Sequence, residues 1–185
     1  MLYLASKSPR RRQLLQSIGV EFETLSANID ETWNGSETAE DYVTRLALEK
    51  ARAAREQVQG EHMVLAADTE VVLDERVLGK PSSHDDAMQM LQGLSGRCHR
   101  VITAVVLLGS TVSQRLSVNK VCFDTISRQQ CESYCQSGEP YDKAGGYGIQ
   151  GGAAVFLRRL EGSYSSVMGL PVKETAELLG INGKS

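Results

Sequence analysis

Charge stands at five places along this chain where packing alone would not put it. The first is the run Ser6, Lys7, Ser8, Pro9, Arg10, Arg11 and Arg12, set between the apolar stretch Leu2 to Ala5 and the periodic Leu14, Leu15 and Ile18. That order predicts strand, tight turn and helix, with Ser8 as N-cap and Pro9 at the first helical position. Basic side chains in a first turn oppose the helix dipole unless an anion lies between them and the free backbone N–H groups, so the turn points to a phosphate. Arginines there can equally be solvated, and the turn alone does not decide. The other places are Lys50 on the apolar stripe of a helix, Asp68 inside a strand run, Lys80 at the corner Gly79-Lys80-Pro81, and the glycine-rich loop from Asp142 and Lys143 through Gln150 to Gly151. Glycines let backbone approach a ligand closely. Singly, a lysine on such a stripe snorkels to water and a strand aspartate is a satisfied structural carboxylate. Together they point to one convergent site.

The chemistry such a set could perform follows from charge. A polyphosphate concentrates negative charge, so its cleavage depends on positioning and on neutralisation by cations and metal. Arg10, Arg11, Lys50 and Lys80 are candidates for neutralisation. Asp68 is a candidate to accept a proton from water, a task that suits a carboxylate close to a metal ion.

Strands and helices must position these groups. Glu21 to Leu25 alternates as a strand, and Ile29, Asp30 and Glu31 lead into a polar loop. From Ala39 to about Val58, Tyr42, Val43, Leu46, Ala47, Lys50, Ala51 and Ala54 recur at helical spacing. Met63 to Ala67 is an apolar strand run that Asp68 and Thr69 interrupt before Val71 to Leu73 resumes it, and Asp74-Glu75 makes a hairpin turn. Ser83 caps a helix over about His84 to Leu94, and Arg100 to Leu108 pairs with Val112 to Asp124 across Gly109 and Ser110. Ser127 to Ser137 reads as a helix, Ala153 to Leu160 as a strand and Pro171 to Leu179 as a final helix. Strands and helices alternate early and hairpins come late, which predicts an α/β protein with a mixed sheet.

Composition limits the function. The chain has 185 residues, enough for one domain or two small lobes sharing a sheet, and its net charge of −3 argues against broad nucleic-acid or membrane-surface binding. Nor do aromatics interleave with the arginines, as single-strand binding would need. No secretory signal or membrane-length apolar run is visible, so a cytoplasmic protein is expected. Cys98, Cys122, Cys131 and Cys135 form no C-x-x-C pair and are expected as free thiols, and His62, His84 and His99 stand at no metal-ligand spacing. Asn34-Gly35-Ser36 reads as a turn, and the end Gly180, Gly183, Lys184, Ser185 as a frayed tail.

In these motifs the chain resembles the Maf nucleotide pyrophosphatases. The matching residues are Ser6-Lys7-Ser8-Pro9-Arg10-Arg11, Glu31, Glu49-Lys50-Ala51, Ala67-Asp68-Thr69, Gly79-Lys80-Pro81, the Asp142 to Gly151 loop and Gly169-Leu170-Pro171, in the family's order over nearly the whole chain. The set Ser-Pro-Arg-Arg, Ala-Asp-Thr and Lys-Ala-Gly-x-Tyr-Gly-Ile-Gln-Gly is similar to the dTTP/UTP branch rather than to the branch acting on methylated guanosine triphosphate. The resemblance implies a single domain over residues 1–185, with an elongated mixed sheet, flanking helices and two lobes around a cleft, as in ITPase-like proteins. It further implies a homodimer, a divalent cation (Mg or Mn), and water attack on the α-phosphorus of dTTP, UTP or a modified pyrimidine triphosphate, giving the monophosphate and pyrophosphate. Asp68 would be the proton acceptor, acting with Glu31, Lys50 and Lys80, and Glu31 and Asp68 would hold the metal. Ser6, Ser8, Arg10, Arg11, Thr69, Lys143 and Gln150 would bind substrate.

Base choice is less constrained. The Gln150 amide offers a donor and an acceptor that match uracil or thymine, but turned over it matches cytosine. Neighbours must fix it, and Arg10 and Thr69 are the candidates from the family's specificity positions. Gly146 and Gly152 add glycine to the loop and are expected to raise its ordering cost. A different class stays open: a nucleotide-binding regulatory module linked to cell division or septum formation, without hydrolysis. Carboxylates beside phosphates would serve such a binder little unless they held metal.

Overall fold

The structure of the protein, a computed structural model, describes residues 1–33 and 35–181. Asn34 of the Asn34-Gly35-Ser36 turn and the tail residues Gly183, Lys184 and Ser185 lie outside them. The described elements run β1 (Leu2–Ala5), α1 (Pro9–Ser17), β2 (Glu23–Leu25), α2 (Ala39–Arg55), β3 (Met63–Leu73), β4 (Arg76–Leu78), α3 (His84–Leu94), β5 (Cys98–Leu108), β6 (Val112–Phe123), α4 (Arg128–Gln136), β7 (Leu157–Glu161), α5 (Tyr164–Val167) and α6 (Val172–Leu178). Their seven strands form one sheet in the order β2-β1-β3-β5-β6-β7, with β4 on β3. β1 pairs in parallel with β2 and β3, whereas β4 and β7 pair antiparallel with β3 and β6. The fold is thus α/β with a mixed sheet, as the element order predicted.

Caps set the helix starts. Ser8, Thr38 and Ser83 each accept a backbone N–H from the third residue beyond, and Ser127 and Gln130 form a reciprocal capping box. α2 carries Glu40 and Asp41 in its first turn and Arg52 and Arg55 in its last, in keeping with its dipole. It ends at Arg55, short of Val58, and the Arg55 guanidinium donates to the carbonyls of Val58 and Gly60 beyond it.

The chain forms two compact units. One contains Met1–Thr69, Thr103–Ser117 and the segment from Ser165 onward; the other contains Glu70–Ile102 and Val118–Tyr164. In the first, Leu2, Leu4, Leu15, Leu65, Ala67, Val105, Leu107 and Leu170 make a buried core under α1, so the turn before α1 and the Asp68 stretch of β3 share one support. In the second, Phe123 packs edge-on against Tyr147 and His99, with ring centroids 4.8 and 5.2 Å apart.

Asp68 and Thr69 interrupt the apolar run but lie within the strand: β3 runs unbroken from Met63 to Leu73, because both side chains find polar partners. Two expectations need correction. Residues 153–160 are not one strand, since Gly152–Phe156 coil into a 3-10 turn and β7 begins only at Leu157. Cys98 and Cys122 are joined in a disulfide, while Cys131 and Cys135 are free and buried. The 24-residue spacing concealed the pair, which the β5–β6 hairpin brings together.

His99 supplies a prediction here. It is 3% exposed, its Nε2 lies 2.7 Å from the Tyr147 hydroxyl, and its buried Nδ1 has no hydrogen-bond partner. Burial lowers its pKa from 6.5 to about 4. Between these values the unfolded chain takes up a proton that the native chain refuses, so stability falls as pH drops from 6.5 to about 4 and is unaffected by this group above that window. The loss is about 3 kcal/mol. Urea unfolding across that range should show a shallower pH slope for His99→Gln than for wild type; equal slopes would refute the assignment.

Candidate active site

The first unit gathers most of the predicted chemistry around the middle of β3. Lys50, reaching from α2, places its Nζ 2.5 Å from Asp68 Oδ1 and 2.6 Å from Glu31 Oε1. One ammonium thus joins two carboxylates from segments far apart in sequence. The Asp68 side chain is 7% exposed and that of Lys50 13%, whereas that of Glu31 is 42% exposed. Glu31 is held from its backbone as well, since the Tyr42 hydroxyl of α2 donates to its carbonyl at 2.6 Å.

Electrostatics follow from this burial. Removal from water pushes the Asp68 carboxyl above its ordinary pKa, and the charge of Glu31 adds to the push, outweighing the opposing pull of Lys50 and Arg11. Burial works to lower the Lys50 pKa, but the charge and hydrogen bond of Asp68, with the hydrogen bond to Glu31, raise it overall. A carboxylate with a raised pKa holds a proton more strongly than an ordinary one, which suits Asp68 to act as a proton acceptor beside the lysine.

Arg11 completes this cluster. Its Nε donates to the Gly169 carbonyl at 2.7 Å and its Nη2 to Thr69 Oγ1 at 3.2 Å. Thr103 Oγ1 donates to the Ser166 carbonyl at 2.8 Å and lies 3.0 Å from Thr69 Oγ1. With its proton committed to Ser166, Thr103 can only accept from Thr69, so the relay runs one way from Arg11 to Ser166. Gly169 has φ +114°, and a Cβ there would sit 3.4 Å from Arg11 Nε. Arg10, half-buried on the same turn, is not the arginine that reaches Thr69. Ser6 Oγ accepts the Ser8 N–H at 3.1 Å and Ser8 Oγ that of Arg11 at 3.4 Å, which leaves each hydroxyl its own proton to donate.

Sequence reasoning missed Thr103, Ser166 and Tyr42 as parts of this arrangement. Thr103 and Ser166 are fully buried polar residues, and a threonine within the apolar run Val101 to Leu107 was the available signal.

Lys80, Lys143 and Gln150 belong to the second unit. The Gly145 N–H donates to the Gly79 carbonyl at 3.0 Å, tying the Lys80 corner to the loop that carries Lys143. Lys143 Nζ is engaged locally, 2.6 Å from both the Glu139 carbonyl and Asp142 Oδ1. Gln150 is exposed at the corner of a turn closed by the Gly151 N–H on the Gly148 carbonyl at 3.0 Å. The loop glycines are not mere slack. Gly145 and Gly146 are buried with φ of +68° and +69°, and a Cβ on Gly145 would come within 2.8 Å of Val71.

A divalent cation fits the first unit. Among the described residues no three His, Cys, Asp or Glu side chains gather into a cage. Mg2+, however, is commonly held by one or two carboxylates together with substrate phosphates and water. Asp68 Oδ2 is buried without a hydrogen-bond partner, and Glu31 offers a second, more exposed carboxylate on the same lysine.

With this geometry the chain can be set beside known proteins. Residues 1–181 match the family model described as Maf-like protein, and the chain belongs to that family. Its relatives include proteins named dTTP/UTP pyrophosphatase. The one from Xanthomonas euvesicatoria pv. vesicatoria is 52% identical over 184 residues, covering 97% of either chain. That from Alkalilimnicola ehrlichii is 50% identical over 183 residues, covering 96% of this chain and 91% of the relative. Among solved structures, a HAM1 protein from Coxiella burnetii shares the fold, with a TM-score of 0.53, 14% identity and 98% of each chain covered.

Proposed function

We propose that this protein is a nucleoside triphosphate pyrophosphatase that hydrolyses dTTP and UTP. The observation that carries the reading is the buried Lys50–Asp68 pair flanked by Glu31 and Arg11, in a chain about half identical to relatives of that name. Water attacks the α-phosphorus, the bond to the bridging oxygen of the β-phosphate breaks, and monophosphate and pyrophosphate leave. Asp68 takes the proton of the attacking water, and Lys50 keeps the carboxylate in place. Mg2+ or Mn2+, held by Asp68 and Glu31, neutralises phosphate charge when bound. Arg10, Arg11, Lys80 and Lys143 supply further positive charge, and the Ser6 and Ser8 hydroxyls donate to phosphate oxygens. Gln150 reads the pyrimidine edge, and Arg10 and Thr69, the latter bonded by Arg11, belong to the same selection.

The reading includes one catalytic domain acting as a homodimer in the cytoplasm. No helix among the described residues is long and apolar enough to cross a membrane.

Incubation with dTTP and Mg2+ or Mn2+ should release pyrophosphate and dTMP in equal amounts. Release of orthophosphate alone refutes the reaction, and binding of dTTP without turnover would favour a regulatory nucleotide binder.

A further inference from the structure

The turn that carries Gln150 is held at both ends by two side chains that the reaction itself does not use. Glu139 Oε2 accepts the Gly152 N–H at 2.9 Å, and Glu139 Oε1 accepts the Tyr134 hydroxyl at 3.1 Å. The Tyr134 oxygen in turn accepts the Gly148 N–H at 3.1 Å. Gly148 and Gly152 bracket the turn, so the three bonds form a brace across it with Gln150 between the fixed points. The fit is close: a Cβ on Gly151 would overlap the Glu139 carboxylate, and one on Gly148 would lie 3.1 Å from its Oε1.

The brace is anchored on its far side. Tyr134 is 6% exposed and packs edge-on against Phe156 at 5.9 Å, and Lys143 Nζ binds the Glu139 carbonyl. Burial, helped by the charge of Glu139, raises the tyrosine pKa against the pull of the Gly148 N–H, so its hydroxyl remains a donor.

We infer that Glu139, acting through Tyr134, is a positioning residue for substrate selection: it fixes the turn and thereby the orientation in which the Gln150 amide meets a pyrimidine. An amide held one way matches uracil or thymine and opposes cytosine, whereas a turn free to shift lets it serve both. The inference rests on the reading of Gln150 as the group that meets the base.

The test uses the wild-type chain and four variants, one of them a double substitution. Glu139→Gln keeps the shape but replaces a charged acceptor with a neutral one that accepts more weakly, and should speed hydrogen exchange of the Gly152 amide with little change in melting temperature. It should also narrow the ratio of kcat/KM for UTP over CTP about tenfold, chiefly through KM for UTP, as expected for loss of a hydrogen bond to a charged group. Gln150→Ala should narrow the ratio by itself, and adding Glu139→Gln to it should change the ratio no further. Should Glu139→Gln not fold, Tyr134→Phe removes the bridging hydroxyl, keeps the ring packed, and should speed exchange of the Gly148 amide and narrow the ratio. Unchanged exchange overturns the brace. A wild-type ratio in Glu139→Gln, when Gln150→Ala has lost it, overturns the role in selection. If Gln150→Ala itself keeps the wild-type ratio, the reading of Gln150 has failed, and faster Gly152 exchange beside that result marks a brace with no part in selection.

Discussion

Asp68→Asn should fold like the wild type and release pyrophosphate from dTTP about a hundredfold to ten-thousandfold more slowly, the range expected when a positioned general base is removed. The substitution keeps the shape of the side chain and an oxygen that can accept from Lys50 at the place where Asp68 Oδ1 now lies 2.5 Å from Nζ. Lys50 also retains Glu31 as a counter-charge, so little stability should be lost. An amide cannot take the proton of attacking water. The deficit should therefore fall on kcat rather than KM, measured as pyrophosphate release under saturating dTTP. Wild-type turnover by a folded Asp68→Asn protein would remove Asp68 from the chemistry.

Lys50→Met has the larger expected effect on stability. Methionine fills the volume but leaves the buried Asp68 carboxylate without its close cation. Breaking a buried pair from one side costs about 3–5 kcal/mol near neutral pH. Asp68 can escape by holding a proton, and the loss then depends on pH. Its carboxyl, already above the ordinary value, rises further without Lys50, while in the unfolded chain it stays near the ordinary 3.8. Above 3.8 the native variant then binds more protons than the unfolded chain, so its stability falls as pH climbs from 3.8 through the raised native pKa. Relative to wild type, Lys50→Met should therefore be more destabilised in urea at pH 7 than at pH 5, and adding Asp68→Asn should restore most of the loss. A deficit below about 1 kcal/mol at pH 7, or one that is equal at both pH values, would show that Asp68 does not depend on Lys50 for its burial.

Much of this site was legible because its signals are local conflicts. A lysine on the buried stripe of α2 and an aspartate in an apolar strand each contradict their surroundings, and the structure resolves both conflicts by pairing them. The start of α1 was equally readable, since Ser8 and Pro9 are local cap chemistry. What failed was long-range. Which arginine of the basic turn bonds Thr69 depends on the rotation of α1 over its core, and the run of three arginines did not single out Arg11. The partners of Asp68 and Thr69 could not be read locally, because Lys50 and Arg11 reach them from elements 18 and 58 residues away. The Cys98–Cys122 bond and the Thr103–Ser166 contact likewise exist only once distant strands and loops have met.

The contacts of α2 with Glu31 bear on how the site can change. Tyr42 grips the backbone of Glu31 and Lys50 grips its carboxylate, eight positions apart on one helix, while the same lysine also fixes Asp68. Eight residues advance a helix by about 12 Å, a little over two turns, so the helix serves as a gauge block between its two grips on Glu31, the second of which also sets Asp68. Inserting one residue between Tyr42 and Lys50 would swing the lysine by about 100° and release both carboxylates at once. Evolution can therefore retune either acid alone by substitution, but it can alter the length of this helix only by rebuilding the pair together.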